Sequence, residues 1–151
     1  MDINFYRFDL SWEIEHPAGT VYSALAALQA YPRWWPEYRA VRRIDEDTVA
    51  ITVQSSLPYK LRLTNRELIQ DAKQGHLRLA IGGDLAGWID FALTAQDSAR
   101  TLVHITQECT AEKKLLRVLA PVARRAMIRN HGLMMRSGQA GLNRFLSAEL
   151  S

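Results

Sequence analysis

Alternation of apolar and polar positions governs the first two thirds of this chain, and a helical period governs the last third. From Asn4 to Glu15, Tyr6, Phe8, Leu10, Trp12 and Ile14 fall on one side and Phe5, Arg7, Asp9, Ser11, Glu13 and Glu15 on the other. A period of two over that length predicts a half-buried strand. His16-Pro17 ends it, and Pro17 suits the first turn of a short helix over Ala18–Ala30, with Val21, Leu25 and Leu28 on one side. In Tyr31-Pro-Arg-Trp-Trp-Pro-Glu-Tyr38 two prolines four residues apart exclude a regular helix, so a tight aromatic turn or one-turn helix is expected. Of the adjacent Trp34 and Trp35, one is expected to plug the core and the other to form a lid or rim.

From Ala40 to Cys109 short alternating runs follow one another. They include Val49, Ile51, Val53; Tyr59, Leu61, Leu63, Asn65; Leu77, Leu79, Ile81; Ile89, Phe91, Leu93; and Val103, Ile105, Gln107, Cys109. Polar turns at Asp45-Glu-Asp47, Asp71–Gly75, Gly82–Asp84 and Gln96–Ser98 separate them, which predicts an antiparallel meander. The period then changes. Leu119, Ala123, Ala126, Asn130, Met134, Ser137, Gly141 and Phe145 share a helical face, widened by Met127, Leu133, Gly138 and Leu142. A helix from Pro121 onward is about 40 Å long at 1.5 Å per residue, enough to cross a small domain. Its face is crowded with small residues and methionines. Gly132, Gly138 and Gly141 each cost about 1 kcal/mol against alanine, so close packing or an adjacent cavity is expected there.

At 151 residues the chain is expected to form one domain, 1–151, with composition ordinary for a globular protein. A lone cysteine, Cys109, excludes an internal disulfide. Neither a signal peptide nor an apolar run long enough to span a membrane is evident, so a cytoplasmic location is expected. The net charge of +3 conceals an asymmetry: residues 1–112 carry 11 Lys/Arg against 15 Asp/Glu, and residues 113–151 carry 8 against 1. That basic segment is either a solvated helix face or a surface for an acidic partner or anionic membrane through Arg124, Arg125 and Arg129. No aromatic residues interleave with these arginines, and no nucleic-acid motif is present.

Tyr31-Pro-Arg-Trp-Trp-Pro36, Gly83-Asp-Leu-Ala-Gly-Trp88, and Asn130-His131 followed by Met134-Met-Arg-Ser-Gly138 and Gly141-Leu142, in that order, resemble the SRPBCC superfamily, which includes START lipid-transfer domains and birch-pollen allergens. The similarity is greatest to its polyketide cyclase/dehydrase-like branch. It implies an α+β helix-grip fold: a curved antiparallel sheet of about seven strands wrapped around a long C-terminal helix, with two short helices after the first strand. It also implies an apolar cavity between sheet and helix. Members often carry an aromatic residue near Gln107, so the amide here departs from the family.

Given such a cavity, the candidate ligand-binding residues are Trp34, Trp35, Leu63, Asn65, Glu67, Phe91, Ile105, Gln107, Met127, Asn130, His131, Met134 and Gly138. A buried amide without a partner costs roughly 1–3 kcal/mol, so Asn130 must bond either a sheet residue such as Asn65 or Gln107, or a ligand. His131 is either a structural tie or a pocket group that orients a carbonyl. Glu67 and Asp90 are cavity acids only if they face inward, and alternation puts Glu67 on the face of Leu61 and Leu63. His16, His76, His104 and His131 lack metal-ligand spacing, and no cofactor is expected. Three functions follow as expectations: binding, sequestration or transport of a lipid, quinone or polyketide-like molecule; a cyclase or dehydratase using His131, Glu67 or Asn130; or an interaction protein using its basic helix face.

Overall fold

A computed structural model describes residues 2–55 and 57–150. Strand β1 (Phe5–Ile14) leads to helix α1 (Ala18–Ala26) and a 3-10 helix (Leu28–Arg33). Then come β2 (Tyr38–Arg43), β3 (Thr48–Val53), β4 (Leu61–Asp71), β5 (His76–Gly83), β6 (Leu85–Asp97) and β7 (Arg100–Ala111), followed by α2 (Lys114–Val118) and α3 (Ala120–Leu150). The seven strands form one antiparallel sheet in the order β1-β7-β6-β5-β4-β3-β2, curved around α3 as a helix-grip fold. Such a sheet buries one face against the helix layer, which is why its strands alternate so cleanly. In β1, Tyr6, Trp12 and Ile14 are buried while Arg7, Asp9, Ser11 and Glu13 stay exposed.

Because β1 is an edge strand, its outer backbone groups need partners. Helix side chains supply several: Glu13 N–H donates to Gln139 Oε1 (2.7 Å), Glu15 N–H to Asn143 Oδ1 (2.9 Å), and Asn143 Nδ2 to the Glu13 carbonyl (3.1 Å). Arg124 does the same at the other end, donating to the carbonyls of Ile3 and Phe5 while its guanidinium lies over the Tyr6 ring. That corrects the expected basic surface, because Arg124 is occupied within the fold and only Arg125 and Arg129 of the three stay outward.

Two further expectations change. Both tryptophans are core residues, Trp34 at 3% and Trp35 at 0% exposure, stacked on each other at 5.2 Å. Strand alternation does not apply where the chain leaves a 3-10 helix, so adjacent side chains can turn to the same side. Trp12 packs edge-on against both rings, and Trp35 Nε1 donates to the Met134 carbonyl (2.9 Å). The α3 glycines make room for them. A Cβ on Gly138 would meet Trp35 and Trp12 side-chain carbons at 2.7–2.8 Å, and one on Gly141 would meet the Trp34 carbonyl oxygen at 1.8 Å. These two glycines serve close packing, not the cavity wall. The buried face of α3 is also shifted from the expected stripe: Gly138, Gly141 and Leu142 are buried as expected, but so are Ala120, Met135 and Leu146, whereas Leu119, Ala126 and Leu133 are exposed. With Met, Ala and Leu on several sides of the helix, the tryptophan cluster sets the rotation.

Candidate functional site

Between α3 and the inward faces of β2 to β7 lies a partly open hollow of about 90 Å³. The strands contribute apolar side chains such as Val53, Leu61, Leu63, Ile81 and Ile89, with Asn65 and Gln107 as the amides. Helix α3 contributes Met127, Asn130, His131, Met134 and Met135; Ser55, Leu57 and Tyr59 close it from the β3–β4 connection. Seven of the thirteen candidates therefore meet here: Leu63, Asn65, Gln107, Met127, Asn130, His131 and Met134. They do so because strand alternation carries Leu63, Asn65 and Gln107 inward, and helical spacing stacks Met127, Asn130, His131 and Met134 above them.

The other six lie elsewhere. Trp34, Trp35 and Gly138 form the packed junction just described, and Phe91 and Ile105 are buried core side chains outside the hollow's lining. Glu67 is half-buried beyond the hollow, beside Tyr22 of α1; burial raises that phenol's pKa first, and the charges of Asp71 and Glu67 raise it further. Asp90 faces outward, accepting from His76 Nε2 (2.6 Å) and Arg78 Nε (2.9 Å). Most of the β3–β4 connection escapes the pattern because Ser55 and Leu57 follow no period; only Tyr59 stands on an alternating run.

Polar contacts organise the hollow. Asn130 Oδ1 accepts from Ser55 Oγ, tying helix to connection. A loop hydroxyl is therefore one partner of Asn130, where a sheet amide or a ligand was expected. Asn65 is held by backbone, its Nδ2 donating to the Thr64 carbonyl at 3.0 Å. Gln107 instead engages the neighbouring His131, with 2.9 Å between Nε2 and the amide Oε1. A carbonyl oxygen only accepts, so the ring N–H must donate, which fixes Nε2 as the protonated nitrogen. Gln107 Nε2 points the other way, at Cys109 Sγ (3.8 Å), and Phe8 stacks on the imidazole at 3.5 Å between centroids. Burial lowers the His131 pKa from 6.5 to about 4, so the ring is neutral near pH 7. Burial also pushes the Cys109 thiol up to about 11, leaving it protonated and poorly nucleophilic.

A stability test follows from the imidazole. Between pH 6.5 and 4 the unfolded chain takes up a proton on His131 that the folded chain refuses. Stability is therefore complete above that window and falls as pH drops through it, by about 2–3 kcal/mol. Urea midpoints measured from pH 7 to pH 4 should show this loss in the native protein and a flatter profile in His131→Asn. Equal slopes would remove the buried histidine as its cause.

The larger open depression on the other side of His131, about 400 Å³ between β1 and α3, faces solvent and has fewer converging polar groups. The hollow under α3 is the better candidate site because it pairs apolar walls with a few fixed polar atoms. Among the described residues no three His, Cys, Asp or Glu side chains converge where a metal ion could sit, and no helix is long and apolar enough to cross a membrane.

The same fold occurs in solved structures. The Zhui aromatase/cyclase from Streptomyces sp. R1128 matches with a TM-score of 0.82 at 13% identity, covering 97% of this chain and 96% of that one. A conserved protein from Geobacillus kaustophilus matches at 0.80 and 14% identity (95% and 96% covered), and a START superfamily protein from Mycobacterium smegmatis at 0.61 and 16% (89% and 98%). At such identities the likeness shows fold alone. No curated protein matches the sequence. The family model described as polyketide cyclase/dehydrase and lipid transport matches residues 14–130, from the end of β1 to the helix amide that the hollow uses. The chain is thus a member of the polyketide cyclase/dehydrase and lipid transport family.

Proposed function

We propose that this protein binds a hydrophobic small molecule carrying one or two oxygens, of lipid, quinone or polyketide-like character, and sequesters or transports it without covalent chemistry. The observation that carries this is the apolar hollow under α3 into which the Ser55–Asn130 and Gln107–His131 pairs are set. A hydrophobic ligand-binding fold is what the family membership supports. At about 90 Å³ the hollow is well below the ~300–1,000 Å³ of drug-sized sites, so a whole ligand must displace part of the wall. The wall is suited to that: Met127 and Met134 are unbranched and adaptable, and the Tyr59 hydroxyl rests on Met127 sulfur at 3.5 Å, a weak contact. A reducing cytoplasm is the compartment we infer, supported by a single buried thiol.

Val53→Phe places a ring in the hollow. Titration with an apolar fluorescent dye should give saturable binding to the native protein and at least about tenfold weaker binding to the variant, which stays folded. Native mass spectrometry of protein taken from cells should show a co-purified small molecule. Absence of saturable dye binding by the native protein would overturn the carrier role.

The neutral imidazole of His131 favours a second reading, a cyclase or dehydratase acting at an enolisable carbon. With Nε2–H committed to Gln107, Nδ1 would be the atom that accepts a proton. Turnover of a polyketide-type carbonyl compound by the native protein, lost in folded His131→Asn, distinguishes it from a carrier.

A further inference from the structure

The surface holds an apolar and basic patch that neither the fold nor the hollow uses. At the α2–α3 junction, Leu115, Val118, Leu119 and Val122 are exposed at 44%, 68%, 47% and 80%. Along α3 the outward line continues at three- and four-residue steps from Val122 through Arg125 and Arg129. Lys114, Arg125 and Arg129 are exposed and join no ion pair or side-chain hydrogen bond among the described residues. The chain has no acidic residue from Lys113 to Ala148. Three other cations of the segment are spent internally, Arg117 on the Ala111 carbonyl, Lys113 near Asp84 and Arg124 on β1, while Arg136 and Arg144 stay exposed farther along α3, away from the apolar crest.

We propose that this tip docks on an anionic lipid bilayer. Branched apolar side chains standing in water gain by entering the acyl boundary, and cations that have no protein partner gain from acidic headgroups beside them. Charge selects the occupant: a face with this much free basic character and no acidic residue repels a second copy of itself, and its apolar crest is not matched to a soluble acidic ligand. Position supports it too. The tip is fastened to the β5–β6 turn, where the Glu112 and Lys113 amides donate to the Asp84 carbonyl (2.8 and 3.0 Å), next to the hollow's Leu85. Met127, held by Tyr59 at the hollow's edge, stands little more than one turn beyond Val122. Docking therefore brings the rim of the hollow to the lipid, where a hydrophobic cargo is taken up or released. This last step rests on the carrier role proposed above; the docking does not.

The full chain is sedimented with vesicles of phosphatidylcholine alone and of phosphatidylcholine mixed with phosphatidylglycerol. Binding is expected to the mixed vesicles and to weaken sharply at high salt. Val118→Asp with Val122→Asp, and separately Arg125→Glu with Arg129→Glu, should each reduce it by about tenfold or more, given roughly fivefold per surface cation. These side chains are exposed, so dye binding in the hollow stays native in both variants. No sedimentation with mixed vesicles while dye binding is intact would overturn docking and leave the carrier standing. Sedimentation without any dye binding would do the reverse. A dimer in light scattering that Val118→Asp with Val122→Asp splits, without vesicle binding, assigns the patch to a second copy and sinks the proposal.

Discussion

Gly141→Ala is expected to lose about 3 kcal/mol or more, a fall in melting temperature of roughly 6–12 °C for a domain of this size. By helix propensity alone the change should be favourable, since alanine gains about 1 kcal/mol over glycine in a helix interior. Geometry reverses the sign. The added methyl would stand 1.8 Å from the Trp34 carbonyl oxygen, and a backbone atom cannot swing aside as a side chain can. Relief requires α3 to move off the 3-10 segment, which breaks the Trp35–Met134 hydrogen bond and loosens the tryptophan cluster. Gly132→Ala is the internal control. It sits in the same helix with nothing within 4 Å of a new methyl, so it should stabilise by up to about 1 kcal/mol. Thermal melts of the two variants should move in opposite directions; if Gly141→Ala is neutral, the close approach of helix and turn is wrong.

Trp35→Ala should cost about 3–5 kcal/mol, the range for deleting a fully buried aromatic. Trp35 has no exposure, contacts Trp12, Trp34, Tyr31 and Tyr38 by ring packing, and ties the turn to α3 through its indole N–H. If it were a lid over the hollow, its removal would change ligand exchange and leave stability nearly untouched. Denaturation together with dye on- and off-rates separates the two roles. A large stability loss is expected; a shift confined to exchange rates would return Trp35 to the mouth of the site.

Much of the site was legible because two simple periods carry side chains to it. Alternation in β4 and β7 delivered Leu63, Asn65 and Gln107, and helical spacing delivered Met127, Asn130, His131 and Met134. What escaped notice has a common cause. Ser55 and Leu57 lie in an aperiodic connection, so nothing local marks Ser55 as a partner of Asn130, 75 positions away, or Leu57 as part of the lining. Trp34 and Trp35 both turn inward because a chain leaving a 3-10 helix can aim adjacent side chains to one side, and no local pattern announces that. Met135 carries no sequence mark as a lining residue because the rotation of α3 depends on what it packs against, and its own sequence offers methionine, alanine or leucine on several faces.

By itself, then, the chain determined its strands, its turns and its terminal helix. Those depend on short-range repetition of apolar groups and on prolines and glycines acting within a few residues. Only the tertiary structure decided which glycines admit tryptophans, which of the helix's arginines remain free, and which amide meets which partner. Each is a contact between segments far apart in the chain, set by the shape left when sheet and helix close on each other.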